Sequence, residues 1–212
     1  MKILLALILS LFLSTLNIFC QTVVINNGMY GIDNEKKLIV INQELAQLND
    51  SEVKTGLSIN GNSYTFENQI ENLQLGICYT VRDQQQNIFS LYFTELPIIQ
   101  IETPNKIEKE IKVPASFSIS DKNGEQMSSV VGIRYRGNYT YKMFDKKSYR
   151  IEFWTDEEKK ETKDVSLLGL RSDDDWNLNA MPNEPLRARN KTNFDIWRKI
   201  NTLYYQSEEK ML

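Results

Sequence analysis

Val131-Gly132-Ile133-Arg134-Tyr135-Arg136-Gly137-Asn138 and then Lys146-Lys147-Ser148-Tyr149-Arg150-Ile151-Glu152-Phe153 decide how this chain folds. Both segments alternate with a period of two, the spacing of a β-strand with one wet face and one dry face. Val131, Ile133 and Tyr135 share one side of the first, and Arg134 and Arg136 share the other. In the second, Tyr149, Ile151 and Phe153 face the core, while Lys146, Ser148, Arg150 and Glu152 face away. Paired as a hairpin, the segments bring Arg134, Arg136, Lys146 and Arg150 onto one surface. From Arg134 to Arg150 six cations stand against one carboxylate, Asp145, a local charge of +5 in a chain whose net charge is -3. Like charges on facing strands repel by roughly a few tenths of a kcal/mol per pair. Two arrangements answer that repulsion. One is a bound polyanion such as a nucleotide phosphate. The other is a set of acidic neighbours from the same chain, among them Asp156, Glu157, Glu158 and Asp173 to Asp175.

Downstream, Leu167-Leu168-Gly169-Leu170 leads to Asp173-Asp174-Asp175-Trp176-Asn177-Leu178-Asn179-Ala180. Consecutive residues of an extended chain point in alternate directions, so three adjacent carboxylates are poorly placed to share one ion. The triplet is expected to be an acidic turn capping a strand that starts at Trp176. Pro182 and Pro185 then interrupt the chain. Asn183 is the expected N-cap of a helix whose first turn holds Glu184 and Pro185, and which runs to about Tyr204. Leu186, Asn190, Asn193 and Trp197 fall on one face of it. Two amides on a packing face must find hydrogen-bond partners, either in a neighbouring loop or at a site.

Upstream, residues 22 to about 96 read as short strands broken by turns. Val23-Val24-Ile25 and Leu38-Ile39-Val40-Ile41 are β-branched runs, and Asn60-Gly61 between Leu57-Ser58-Ile59 and Tyr64-Thr65-Phe66 marks a hairpin. Ile77 to Val81 and Ile88 to Phe93 supply two further strands. Nothing catalytic stands out, and the expectation is a small β-sandwich-like accessory module. Leu96-Pro97-Ile98-Ile99 is read as the crossing into a second unit, and Asp121-Lys122-Asn123-Gly124 as a turn between its strands.

The first residues, Met1-Lys2 followed by an apolar run from Ile3 to Phe12 and then Ser14 to Cys20, have the form of a bacterial-type secretory signal. The run is short for a bilayer span, so cleavage between Cys20 and Gln21 is favoured over an N-terminal anchor. The mature chain is then exported to the periplasm, cell surface or exterior, with no membrane span. Cys78 is the one remaining thiol and is expected to be a buried small hydrophobe. The chain has no histidine. That excludes Ser-His-Asp and Cys-His catalysis and any zinc site built on imidazole. A short basic patch in an acidic chain argues against nucleic acid as a partner.

Ile133-Arg-Tyr-Arg136-Gly137-Asn138, Lys146-Lys147-Ser148-Tyr149-Arg150-Ile-Glu-Phe153, Leu167 to Ala180, and Leu186-Arg-Ala-Arg189-Asn190 with Phe194-Asp195-Ile196-Trp197 resemble, in order and spacing, the spore-coat CotH kinase family of atypical protein kinases. Together with the β-rich accessory domain read over 21–96, the resemblance, which runs through about residues 97 to 204, implies an α+β chain whose residues 97–212 are the N-terminal part of a kinase-like domain. It implies ATP and Mg²⁺ or Mn²⁺ as cofactors, a protein hydroxyl as acceptor, and phosphate contacts from Arg136, Lys146, Lys147 and Arg150. Strand parity places Lys146 rather than Lys147 on the polar face, and a bulge would exchange them. Arg189 and Asn190 are implied to orient that hairpin or the nucleotide. The family's catalytic and metal-binding Asp residues lie in later motifs, so no such residue is expected in this stretch. An incomplete kinase domain without transfer activity of its own is the expectation. A secreted or cell-surface adhesion protein on the same scaffold is the alternative.

Overall fold

The structure is a computed structural model that describes residues 21–49, 53–124, 126–156, 158, 161–184, 186 and 188–200. The expected signal segment and the expected continuation of the helix beyond Ile200 lie outside the described residues. The chain forms two compact units. One holds the described residues up to Gln100 together with Ile119–Met127, and the other holds Ile101–Ser118 together with Ser128 onward.

The first unit contains β1 (Gln21–Ile25), β2 (Tyr30–Asp33), β3 (Leu38–Ile41), the short α1 (Leu45–Leu48), β4 (Lys54–Ile59), β5 (Asn62–Ile70), β6 (Cys78–Arg82) and β7 (Ile88–Phe93). The Asn60-Gly61 hairpin forms as read. Leu57 pairs with Tyr64 and Ile59 with Asn62, and Asn60 and Gly61 both take positive φ, 49° and 78°. Two left-handed residues in a row give the turn whose twist matches that of the flanking strands. The strands make one seven-stranded sheet, in the order β1-β4-β5-β6-β7-β3-β2, and not two stacked sheets. The β1–β4 and β3–β7 pairs are parallel, which a reading built on successive hairpins does not foresee. Every second residue of most strands, including Ile39, Leu57, Val81 and Leu91, enters one apolar cluster. Cys78 does not. It is exposed at the first position of β6, because the alternation that buries Tyr79 and Val81 turns residue 78 outward.

A five-stranded sheet runs β14-β11-β10-β9-β8. Its strands are β8 (Ile98–Glu102), β9 (Val113–Ser120), β10 (Gln126–Arg136), β11 (Ser148–Trp154) and β14 (Asp175–Leu178). The five-residue α2 (Tyr139–Met143) connects β10 to β11, and the small pair β12 (Val165–Ser166) and β13 (Ser172–Asp173) precedes β14. β10 and β11 form the expected antiparallel hairpin, with Ile133 opposite Ile151 and Val131 opposite Phe153. All four are essentially inaccessible, and the Phe117 and Phe153 rings meet edge-to-face at 5.1 Å. Each such side chain taken from water contributes about 1.5–3 kcal/mol.

The last helix, α3, spans Arg189–Ile200 and starts later than Asn183. The residue before a proline avoids helical backbone, and Glu184 precedes Pro185. Glu184 Oε1 instead accepts the Arg189 amide at 2.5 Å, and the first helical carbonyl, that of Ala188, accepts from Thr192 at 2.9 Å. Among the described residues of α3 none is buried. Asn190 and Asn193 are exposed, and so is Trp197, so the face expected to pack is open.

Gly132 shows how tightly the hairpin is built. A Cβ there would lie 2.0 Å from Cζ2 of Trp154, whose rigid indole covers it. Gly132→Ala is therefore expected to destabilise this unit by about 2 kcal/mol through overpacking. A lowered denaturation midpoint followed by tryptophan fluorescence checks it, and an unchanged midpoint refutes the close contact.

Candidate phosphate-binding face

The polar side of the β10–β11–β14 sheet is set by register. Arg134 stands directly opposite Arg150, Arg136 opposite Ser148, and Gly132 opposite Glu152. On the other side of β11, Glu152 pairs with Asp175 and Arg150 with Asn177. Arg134, Arg136, Arg150, Glu152 and Asp175 thus share one face, as the alternation requires.

Their partners differ in kind. Arg150 is neutralised within the chain: Nε donates to Asp175 Oδ1 at 3.0 Å, and Nη2 donates to Oδ2 of the same carboxylate. Lys112, from the segment ahead of β9, adds its ammonium to Glu152 Oε1 and lies 3.5 Å from Asp175 Oδ1. Trp154 Nε1 donates to the other Glu152 oxygen at 2.7 Å. Arg134 and Arg136 have neutral acceptors instead. Arg134 Nη1 donates to the Lys109 carbonyl at 2.9 Å, and Arg136 Nη1 to Asn179 Oδ1 at 3.2 Å. A carbonyl or amide oxygen orients a guanidinium without cancelling its charge. Among the described residues, four cations and two carboxylates meet on this face, leaving +2 on Arg134 and Arg136.

The acidic triplet divides as alternating directions require. Asp173 Oδ1 accepts the Asp175 amide at 3.1 Å, its Oδ2 takes Arg171, and its carbonyl accepts Trp176 Nε1 at 2.9 Å, so Asp173 is the turn residue. The Asp174 carbonyl accepts from the Phe153 amide at 2.9 Å, which ties it to the sheet. Asp175 belongs to the sheet face. Arg150 beside it, then Lys112, hold its carboxyl below the usual carboxylate range against the opposing effect of burial. Asp175 in turn pushes the Arg150 guanidinium up, by its hydrogen bond and its charge.

The remaining sequence-derived residues lie elsewhere. Lys147 Nζ donates to the carbonyls of Tyr141 and Phe144, each at 2.6 Å. Lys146 is exposed just before β11, outside the paired register. Arg189 pairs with Glu184 (Nε to Oε2, 3.4 Å) in its own connection, and Asn190 is exposed on α3. Lys112 and Lys109 went unnoticed in the sequence, and Asn179 stood there only as part of the Leu167–Ala180 motif. They lie in segments flanking β9 and β14, which the fold brings to Glu152, Arg134 and Arg136, and no local pattern signals it.

The Ile133–Arg150 hairpin, the acidic turn and α3 are also where the chain is similar to known sequences. Residues 133–207 match the family model described as CotH kinase protein. Comparison with curated proteins and with solved structures finds no match. Among the described residues no three Asp, Glu, Cys or His side chains group so that they could hold a metal ion. Among them, too, no helix is long and apolar enough to cross a membrane.

The depressed Asp175 pKa fixes a pH dependence. The carboxylate form is favoured by folding, so its contribution is complete above the unfolded value of about 4 and is lost as pH falls through the lower folded value. Asp175→Asn is expected to cost on the order of 1 kcal/mol near neutrality, a value limited by solvent screening of a partly exposed pair. It is also expected to flatten the acid limb of stability below about pH 4. Parallel denaturation curves of mutant and parent across that limb refute the assignment.

Proposed function

We propose that the second unit is the phosphate-binding part of a CotH-like atypical protein kinase, and that it grips the phosphates of ATP on the face carrying Arg134 and Arg136. One observation carries the reading. These two guanidinium groups, both inside the stretch matched by the family model, are held in place by neutral oxygens and keep their charge. A phosphate approaching them gains charge-assisted, bidentate hydrogen bonds without first breaking an ion pair. Arg150 offers no such advantage, since Asp175 already occupies it.

The residues described offer fixed cations to the phosphate tail of ATP, and among them no three ligating side chains group around a metal ion. The family's reaction transfers the γ-phosphoryl group to a protein hydroxyl. This chain's contribution in our reading is to bind and orient the phosphates by fixed positive charge. In the same reading, segment 1–20 directs export, and the mature chain works in the periplasm, at the cell surface or outside the cell.

Titration of the full chain with ATP tests it. Arg136→Ala and Arg134→Ala are each expected to weaken binding roughly tenfold, the loss of one hydrogen bond to a charged group. Asp175→Asn, which releases the charge of Arg150, is expected to leave ATP affinity equal or higher. Added salt is expected to weaken binding in every case. Equal affinity in the parent and both arginine variants would sink the phosphate reading and leave a surface-binding module on the same scaffold.

A further inference from the structure

Lys147 adjoins Lys146 in the sequence, but it is half-buried where Lys146 is exposed. Its ammonium lies on the tyrosine side of the sheet. It donates at 2.6 Å to the carbonyls of Tyr141 and Phe144, and it sits 5.1 Å from the centroid of the Tyr141 ring. Those carbonyls belong to the C-terminal end of α2, where helical C=O groups have no partner of their own and a lysine is the favoured cap. Two of the three ammonium donors are thereby occupied, and the ring contact adds a cation–π attraction.

The contacts continue from there into the strand. The Tyr141 ring lies 5.1 Å from that of Tyr135, and Tyr135 lies 5.4 Å from Tyr149, its cross-strand partner. Burial, and then Tyr135, push the Tyr149 phenol up. Tyr135 stands between Arg134 and Arg136, so the stack and the arginines occupy opposite sides of the same three residues. Immediately after Arg136 comes Gly137 at φ +91°, where a side chain would be strained and its Cβ would meet Thr140 Oγ1 at 2.6 Å. The connection thus leaves β10 through a left-handed glycine and reaches β11 just after Lys147, with α2 between the two.

We infer that Lys147 is a positioning residue and not a nucleotide ligand. It clasps the β10–β11 connection, and through Tyr141 and Tyr135 it fixes the strand end that carries Arg136. Its effect on nucleotide affinity rests on the phosphate reading above, whereas its effect on the connection does not.

The full chain gives the test in three measurements. Without nucleotide, an amine-acylating reagent is expected to label exposed Lys146 well ahead of Lys147, and ATP is expected to leave the Lys147 rate unchanged. Lys147→Met is expected to speed amide exchange over residues 139–146 by about tenfold, the loss of at least one charged hydrogen bond in a locally opening segment. Lys147→Arg, whose fork still donates to two carbonyls, is expected to restore slow exchange. ATP affinity is expected to fall in the Met variant and recover in the Arg variant, in step with exchange. Three results overturn the inference: ATP-dependent protection of Lys147, equal labelling of the two lysines, or a Met variant that loses ATP affinity while exchange stays slow. A parent chain that fails to bind ATP refutes the phosphate reading, and the exchange and labelling data still decide the clasp.

Discussion

Arg134 and Arg150 face each other across two hydrogen-bonded strands, and a third strand makes that arrangement stable by delivering Asp175 beside Arg150. Without that carboxylate, two guanidinium groups would be held together by backbone pairing against their own repulsion. With it, the polar face becomes an alternating series. Lys112 lies against Glu152 and Asp175, and Asp175 lies against Arg150. The series ties β11 and β14 to the segment ahead of β9 through side chains as well as through backbone hydrogen bonds. The individual ion pairs are partly exposed and modest in energy. Their importance lies in which register they permit.

The opposite face solves a different problem at the same place. At the end of β10 the apolar core gives way to tyrosines, which stack across the strands and reach into α2. Rings provide area for packing and tolerate a wet edge, so the sheet can end there without exposing an aliphatic core. Lys147 closes this end by capping α2. Residues 134–136 therefore carry charge on one side and aromatic packing on the other, and the position of the charge depends on the packing.

Much of this face was legible in the sequence, because strand alternation is a local rule. It placed Val131 and Ile133 inside, Arg134, Arg136 and Arg150 outside, and Glu152 with them, and the register agrees. The resemblance carried by the four motifs agrees with the match over residues 133–207. What was not legible depends on distance along the chain. Lys112 and Glu152 are brought together by strand order, and the parallel β1–β4 and β3–β7 pairs of the first unit arise in the same way. The helix start was missed for a local reason. Asn183 and Glu184 together read as a cap and first turn, but Glu184 caps from a distance with its side chain and leaves its own backbone outside the helix. The open face of α3 was missed because helical periodicity shows which residues share a side, and not whether anything covers that side.

Internal neutralisation of Arg150 bears directly on whether this surface can hold an anion. Were every cation on the face matched by a carboxylate, a phosphate would have to displace an acid to bind, and desolvation would cancel the gain. The partners are instead divided. Carboxylates take Lys112 and Arg150, while a main-chain carbonyl and an asparagine take Arg134 and Arg136. The acids therefore settle the crowded centre of the sheet, and the neutral oxygens hold the remaining two arginines in fixed directions with their charge intact. Fixed, uncancelled charge is what binding a phosphate requires, since little must reorganise when the anion arrives. The same division separates Asp175 from Arg136: removing the first frees a cation on this face, and removing the second deletes one.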